Sequence, residues 1–349
     1  MGNERGAIVF LLGVAAALAL SVANFALGDK SAAGGAAPAA SRPLVVALAA
    51  PLDVSDAGLI IANDAELFER AGLRVELRPQ PSDADAVAAV VAARADIGLA
   101  RVESFLKARG DGVPVVSFAA GLVESPVTFY ALSSSGVHTP LDLVGKRIAY
   151  APGAESAIVY EAMLARLSIP RSRMTEVQAP PGAGALLDGA VDLAPLGGTD
   201  ELALSSRGVR YTTLKPAEFG VHKLGTVYFA SEKAMGEDRD VLERFLKALI
   251  GGWDRAYDDV SAGAAVIAGD LGLEPAQVLT LMERQRPLLR PLAARFCEFE
   301  REQWRQTEDI LVATQILAEP IDLSSAVDFG PLREAYRRTG ALAPEQRFE

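Results

Sequence analysis

The chain of 349 residues predicts an α/β protein of two doubly wound lobes joined by a hinge, preceded by an apolar N-terminal segment. Three observations carry this. From Pro43 onward, short apolar runs alternate with segments whose apolar residues recur at helical spacing, the pattern of strand and helix in turn. The alternation restarts near residue 146. Two segments also share one plan, ARADIGLARVESFLKARGDGV at residues 93–113 and GAVDLAPLGGTDELALSSRGV at 189–209. Asp96, Glu103 and Gly112 in the first match Asp192, Glu201 and Gly208 in the second, which has two extra residues, Gly197 and Gly198, at its turn. A period this long is not that of a solenoid, so two similar lobes are expected.

Taken in order, PLVVALAA (43–50) reads as a fully apolar strand, and residues 57–73 as a helix ending at Gly72. RVELRP is a strand, AVAAVVAAR a helix, DIGLA a short buried strand, RVESFLKAR a helix, and VPVVSFAAGL a longer strand. This alternation predicts a parallel sheet. The second lobe repeats it with strand KRIAYAP, helix SAIVYEAMLARL, strand TEVQA, a helical turn in GAGALLDG, strand DLAPLG and helix TDELALSSRG. TVYFAS (226–231) then leads the chain back to the first lobe. The remainder is helical: residues 238–259 place Val241, Phe245, Leu249 and Trp253 on one face, and helices over 273–285 and 298–317 return to cover the first lobe. The domain boundaries expected are 43–124 plus 225–349 for lobe I and 125–224 for lobe II.

The N-terminus has its own logic. Residues 7–27 are uncharged and follow Arg5. At ~1.5 Å per residue they could just span a bilayer core of ~30 Å. They also have the layout of a secretory signal, with Ala26-Leu27-Gly28 as a cleavage site. Residues 1–28 are therefore read as a signal peptide or a membrane anchor, and the low-complexity residues 29–42 as a flexible linker. No cysteine follows the run, which excludes a lipoprotein anchor. The folded part is expected outside the cytoplasm, in the periplasm, touching the membrane only through this segment.

Composition removes several function classes. A net charge of −11 without a basic run argues against nucleic acid. The single cysteine, Cys297, forms no internal disulfide, and the two histidines, His138 and His222, lie far apart in sequence, so no metal site is expected. His138 and His222 read as surface residues and Cys297 as a buried apolar-face residue. There is no G-x-S-x-G, P-loop or HExxH, and GAGALLDG lacks the full dinucleotide spacing. No catalytic residue and no cofactor is assigned.

Ligands in open α/β sheets bind beyond the carboxyl ends of strands. Those ends supply Ser55 and Asp56, Arg101 and Glu103, Glu124 and Ser125, then Gly153 to Ser156, and Gly197 to Asp200. Asp56 and Thr199 have a second reading as helix N-caps. The ligand-binding set is Ser55, Asp56, Arg101, Glu103, Glu124, Ser125, Glu155, Ser156, Gly198, Thr199 and Asp200, which converge if the lobes face each other. Glu155 stands where a helix start would welcome an anion. With Asp56, Glu103, Glu124 and Asp200 it makes the cleft acidic, Arg101 being the one opposing charge. A neutral or cationic solute is expected, unless Glu155 points to solvent and merely complements the helix dipole.

Four stretches carry a family resemblance: GLIIANDAELFERAGLRVELRP, ARADIGLARVESFLKARGDGVPVVSFAA, TPLDLVGKRIAYAPGAES and DVLERFLKALIGGWDRAYDD. The chain resembles the extracytoplasmic solute-binding proteins of ABC importers, in the NMT1/THI5-like group that includes nitrate, sulfonate, taurine and thiamine-pyrimidine binders. The likeness covers nearly all of residues 43–335. It implies the two-lobed periplasmic-binding-protein type II fold, hinge closure around a small solute, delivery to a membrane permease, and no catalysis. It places Ser55, Asp56, Arg101, Glu124, Glu155, Ser156 and Thr199 where members line the cleft. Two departures stand out. NDAELF lacks the usual glycine before the aromatic residue, and Gly153-Ala154-Glu155-Ser156 replaces a Ser/Thr-rich turn, which counts against an anionic ligand. Two alternatives follow from the same likeness. One is an enzyme on this fold, although the cysteine-rich motif of the THI5-type pyrimidine synthases is absent and the similar menaquinone-pathway dehydratases are cytoplasmic. The other is a membrane-tethered sensor or assembly component.

Overall fold

The computed structural model describes residues 42–290 and 295–338; the apolar run 7–27 and the linker up to Ser41 lie outside the described residues. Among the described residues ten strands form: β1 (Leu44–Leu48), β2 (Val75–Pro79), β3 (Ile97–Arg101), β4 (Val115–Ala120), β5 (Phe129–Leu132), β6 (Arg147–Ala149), β7 (Thr175–Val177), β8 (Ala194–Pro195), β9 (Tyr211–Leu214) and β10 (Thr226–Ser231). Helices of eight residues or more are α1 (Ala57–Asp64), α2 (Asp83–Val91), α3 (Val102–Gly110), α4 (Glu155–Arg166), α5 (Gly198–Ser206), α6 (Arg239–Asp258), α7 (Val260–Leu271), α8 (Pro275–Leu289), α9 (Arg301–Ala313) and α10 (Gly330–Arg338).

Strands β1 and β4 are buried along their whole length, as expected for strands covered on both faces. The lobe I sheet has the order β2-β1-β3-β10-β4. β1 is parallel to β2 and β3, but β10 runs antiparallel between β3 and β4. The sheet is therefore mixed, not parallel throughout. β10 does return the chain to lobe I, and it arrives from the other lobe instead of through a helical crossover. Apolar patterning reports burial but not strand direction.

Lobe II repeats this layout. β8-β5-β9 are antiparallel, β6 and β7 are parallel, and a parallel bridge between Ile148 and Leu193 joins the two pieces. Its order is thus β7-β6-β8-β5-β9, with β5 in the place of β10. The sequence repeat falls on equivalent positions. Asp96 Oδ2 accepts from Val45 N at 2.8 Å, and Asp192 Oδ2 accepts from Arg147 N at 2.8 Å, each carboxylate fastening the equivalent strand of its own lobe, β1 or β6. At the helix exits Val113 N donates to Ala108 O and Val209 N to Leu204 O, across Gly112 and Gly208 in the left-handed conformation that favours glycine.

The predicted helix over 57–73 is interrupted. α1 ends at Asp64, Glu66 adopts φ 52°, and a single turn, Leu67–Arg70, follows with Phe68 fully buried and stacked on Phe245. α6 buries Phe245, Leu249 and Trp253 on its apolar face as predicted, with Val241 half-buried. It packs closely on α1 because both helices present glycine there. A Cβ on Gly252 would lie 2.1 Å from the carbonyl oxygen of Gly58, and one on Gly58 would meet the Trp253 indole at 2.4 Å. The C-terminal helices cover lobe I, and α9 reaches on to α4 of lobe II.

Two crossovers, residues 121–128 and 215–225, connect the sheets. They lie side by side. Ser125 N donates to Lys223 O at 2.7 Å and Gly225 N to Leu122 O at 3.0 Å. Gly225 is required for this approach, since a Cβ there would sit 2.7 Å from Leu122 Cβ and 2.9 Å from Glu124 O. Helices α8 and α9 hold the pair from behind. Val123 N donates to Leu288 O, Leu224 N to Thr307 Oγ1, and Gln303 Nε2 to Val123 O.

Candidate functional site

The crossovers carry a residue that the sequence does not flag, Lys223. Its side chain is wholly buried. Nζ forms an ion pair with Glu103 Oε2 at 2.8 Å, and donates to Glu155 Oε1 at 2.9 Å and to Leu224 O at 2.9 Å. Glu103 comes from the first turn of α3 in lobe I and Glu155 from the first turn of α4 in lobe II. Ser125 Oγ donates to the same Glu155 oxygen at 2.7 Å. One ammonium thus ties together both lobes and both crossovers.

The electrostatics follow from burial and pairing. Burial pushes the Glu103 carboxyl up; the ammonium of Lys223 opposes this and the neighbouring Glu155 reinforces it, leaving it raised. Burial alone would lower Lys223, but the two carboxylates and their hydrogen bonds outweigh it and hold it above its ordinary value. Its charged form is thereby favoured. Glu103 Oε1 is buried with no hydrogen-bond partner among the described residues, 3.8 Å from Arg101 Nε. Arg101 itself is turned to Asp83: its backbone N donates to Asp83 Oδ1 at 2.8 Å and its guanidinium pairs with Oδ2. On the other side Glu124 Oε2 lies 3.1 Å from His222 Nδ1, and Oε1 accepts from Lys223 N at 3.2 Å. Burial raises the Glu124 carboxyl, with His222 opposing.

The predicted residues divide into three groups. Glu103, Glu124, Ser125 and Glu155 meet around Lys223, with Arg101 at their edge and Ser156 half-buried beside Glu155. Ser55 and Asp56 stay at the end of β1. Ser55 donates to Asp53 Oδ1, and Asp56 Oδ2 accepts from Asp53 N at 3.0 Å, so Asp53 does the capping and the Asp56 side chain does not cap α1. Burial and the neighbouring Asp53 push the Asp56 carboxyl up to about 7. Gly198, Thr199 and Asp200 form the first turn of α5. Thr199 is exposed, and the N-cap is Gly197. This turn faces α8 of lobe I, where a Cβ on Gly198 would lie 2.4 Å from Leu281 Cδ2.

Two expectations are corrected. Glu155 neither points to solvent nor stands as a bare charge before the helix: it is buried and paired. Arg101 is not the one opposing cation, because Lys223 is a second and more deeply buried one. It sits in a connection with no motif, and its meaning depends on acids 68 and 120 positions away (Glu155 and Glu103), which no local pattern records. His222 is exposed as expected but belongs to the crossover, and Cys297 is buried with its thiol pushed up by burial. Among the described residues no three His, Cys, Asp or Glu side chains are grouped to hold a metal.

Two α/β lobes with matching strand order, linked by paired crossovers under an interlobe charge cluster, define the class: a periplasmic-binding-protein fold. A family model described as NMT1/THI5 like matches residues 54–261, more than half of the chain, and the chain belongs to this family. The fold is shared with the periplasmic aliphatic sulphonate binding protein SsuA from Escherichia coli, at 16% identity, TM-score 0.69, over 81% of this chain and 96% of that one. It is shared too with the periplasmic sulfonate-binding protein of a sulfonate ABC transporter from Methylobacillus flagellatus, at 15% identity, TM-score 0.68, over 86% and 96%. A curated relative, 4-amino-5-hydroxymethyl-2-methylpyrimidine phosphate synthase from Schizosaccharomyces pombe, is 26% identical over 135 residues. That match spans 38% of this chain and 39% of the synthase.

Proposed function

We propose that this chain is an extracytoplasmic binding component for a small organic solute, neutral or cationic, which it encloses by bending at the two crossovers and passes to an ABC import permease without chemical change. The observation that carries the reading is the convergence on Lys223 of one acid from each lobe, Glu103 and Glu155, and a third, Glu124, from the first crossover. Ionised together, Glu103, Glu155 and Lys223 leave a net negative charge, Arg101 is spent largely on Asp83, and Glu124 adds another acid. Glu103 Oε1 is a buried acceptor that calls for a donor. The first turn of α4, a place where free N–H groups attract an anion, carries the acid Glu155. These features favour a donor-bearing amine or heterocycle over nitrate or a sulfonate. The periplasmic neighbours of the same fold support the location and the permease role.

The synthase relative favours a second reading, an enzyme on this fold. The sole cysteine is buried, which leaves that reading no accessible thiol. Native mass spectrometry of the purified protein, followed by calorimetry with an aminopyrimidine, a polyamine, taurine and nitrate, separates the cases. A co-purified solute that binds unchanged, with the two anions inert, is the expected result. Micromolar taurine or nitrate binding retained in Glu155→Gln sinks the charge preference, and turnover of the bound compound sinks the binding-protein reading.

A further inference from the structure

We propose that Glu201 and Arg284 form a charge-controlled latch that holds the lobes closed at a point away from the hinge, while Lys223 acts as a fixed pin at the hinge itself. Glu201 lies in the first turn of α5, at the lobe II position equivalent to Glu103. Its own lobe aims it: Oε2 accepts from Tyr130 OH of β5 at 2.8 Å, and Oε1 accepts from Tyr211 OH of β9 at 2.9 Å. The carboxylate so placed pairs with the guanidinium of Arg284 on α8 of lobe I. The internal duplication has therefore put an acid in the same place in each lobe, and each acid is used across the interlobe boundary.

The two extra glycines of the second copy explain how α5 reaches α8. Gly197 caps the helix and Gly198 begins it, and Leu281 occupies the space that a side chain on Gly198 would need. Leu281 and Arg284 are three residues apart on α8, hence on one face. Close packing at Gly198 and the ion pair at Glu201 thus form a single contact.

Exposure separates the two devices. The Lys223 side chain is 0% exposed, whereas Arg284 is 40% exposed and Glu201 16%. Water and salt reach the Glu201–Arg284 pair and not the pin. At 1 M salt the screening length is ~3 Å, so an exposed pair weakens there while a buried one persists. Lys223 also sits on the crossovers, where bending moves groups least.

The test is an interlobe distance measured by electron–electron double resonance on the full chain. Spin labels go on cysteines introduced at the exposed positions Val91 in lobe I and Leu141 in lobe II; Cys297 is buried and stays unlabelled. At low salt the otherwise unaltered protein should give one short distance population. Arg284→Gln and Glu201→Gln should each add a longer one, and 1 M salt should add it to the parent while changing neither variant further. Distributions that superimpose across parent, variants and salt overturn the latch, as does opening in Arg284→Gln with none in Glu201→Gln. The readout needs no solute, so it stands even if the solute-binding reading fails.

Discussion

At the scale of single residues, Lys223 and Asp56 make opposite use of burial. Lys223 is stabilised by two carboxylates, whose combined charge it offsets in part. Removing one member of a buried charge cluster leaves the rest uncompensated, at a cost of about 3–5 kcal/mol. Lys223→Met should therefore lower the unfolding free energy by that much, read as a lower denaturant midpoint, and the triple change with Glu103→Gln and Glu155→Gln should recover part of it. A midpoint unmoved in Lys223→Met would contradict the pairing. Among the described residues the charged neighbour that acts on Asp56 is another acid, Asp53. Its folded-state carboxyl is raised from 3.8 to about 7, so between those values the folded protein binds more protons than the unfolded chain. Stability contributed by protonated Asp56 is present below pH 4 and is lost as pH rises towards 7. Denaturant midpoints collected from pH 4 to 8 should fall over that window in the parent, and the fall should be smaller in Asp56→Asn.

At the scale of elements, the helix pair α1/α6 shows how packing overrides propensity. Alanine is the better helix former by up to ~1 kcal/mol, yet at Gly252 the added methyl would strike the backbone carbonyl of Gly58, which cannot swing aside. Gly252→Ala should destabilise the fold by roughly 1–3 kcal/mol. Gly269 in α7 has open space around its missing Cβ, so Gly269→Ala should stabilise by about 0.4–1 kcal/mol. Thermal denaturation of the two variants side by side checks the pair, and a common sign would refute the packing argument. The helix faces that matter here were legible from periodicity: Phe245, Leu249 and Trp253 recur at helical spacing and all are buried. The break at Glu66 was not, because Ala65 and Glu66 are good helix formers locally and the left-handed step is justified only by Phe68 packing against Phe245.

At the scale of the whole molecule, the proposed role needs the lobes to stand outside the cytoplasm. Residues 7–27 motivate export, and among the described residues no single helix is long and apolar enough to cross a membrane. Alkaline phosphatase fused after Ser41 should be active in cells. An inactive fusion that accumulates in the cytoplasm would remove the extracytoplasmic proposal.

The sequence by itself determined eight of the ten strands described, most of the longer helices, the two-lobed plan and the internal repeat, because each is written in periodicity or in the likeness of one stretch to another; β5, β9, α7 and α10 it did not mark. The fastening of β1 by Asp96 and of β6 by Asp192 shows how far that repeat reaches. Only the tertiary structure decided that β10 enters antiparallel between β3 and β4, that Lys223 is buried between Glu103 and Glu155, and that Glu201 meets Arg284. A charge has no periodic signature. Whether it ends in solvent, against a dipole or inside an ion cluster is set by which distant segments the fold brings within about 3 Å, where removal from water makes pairing obligatory.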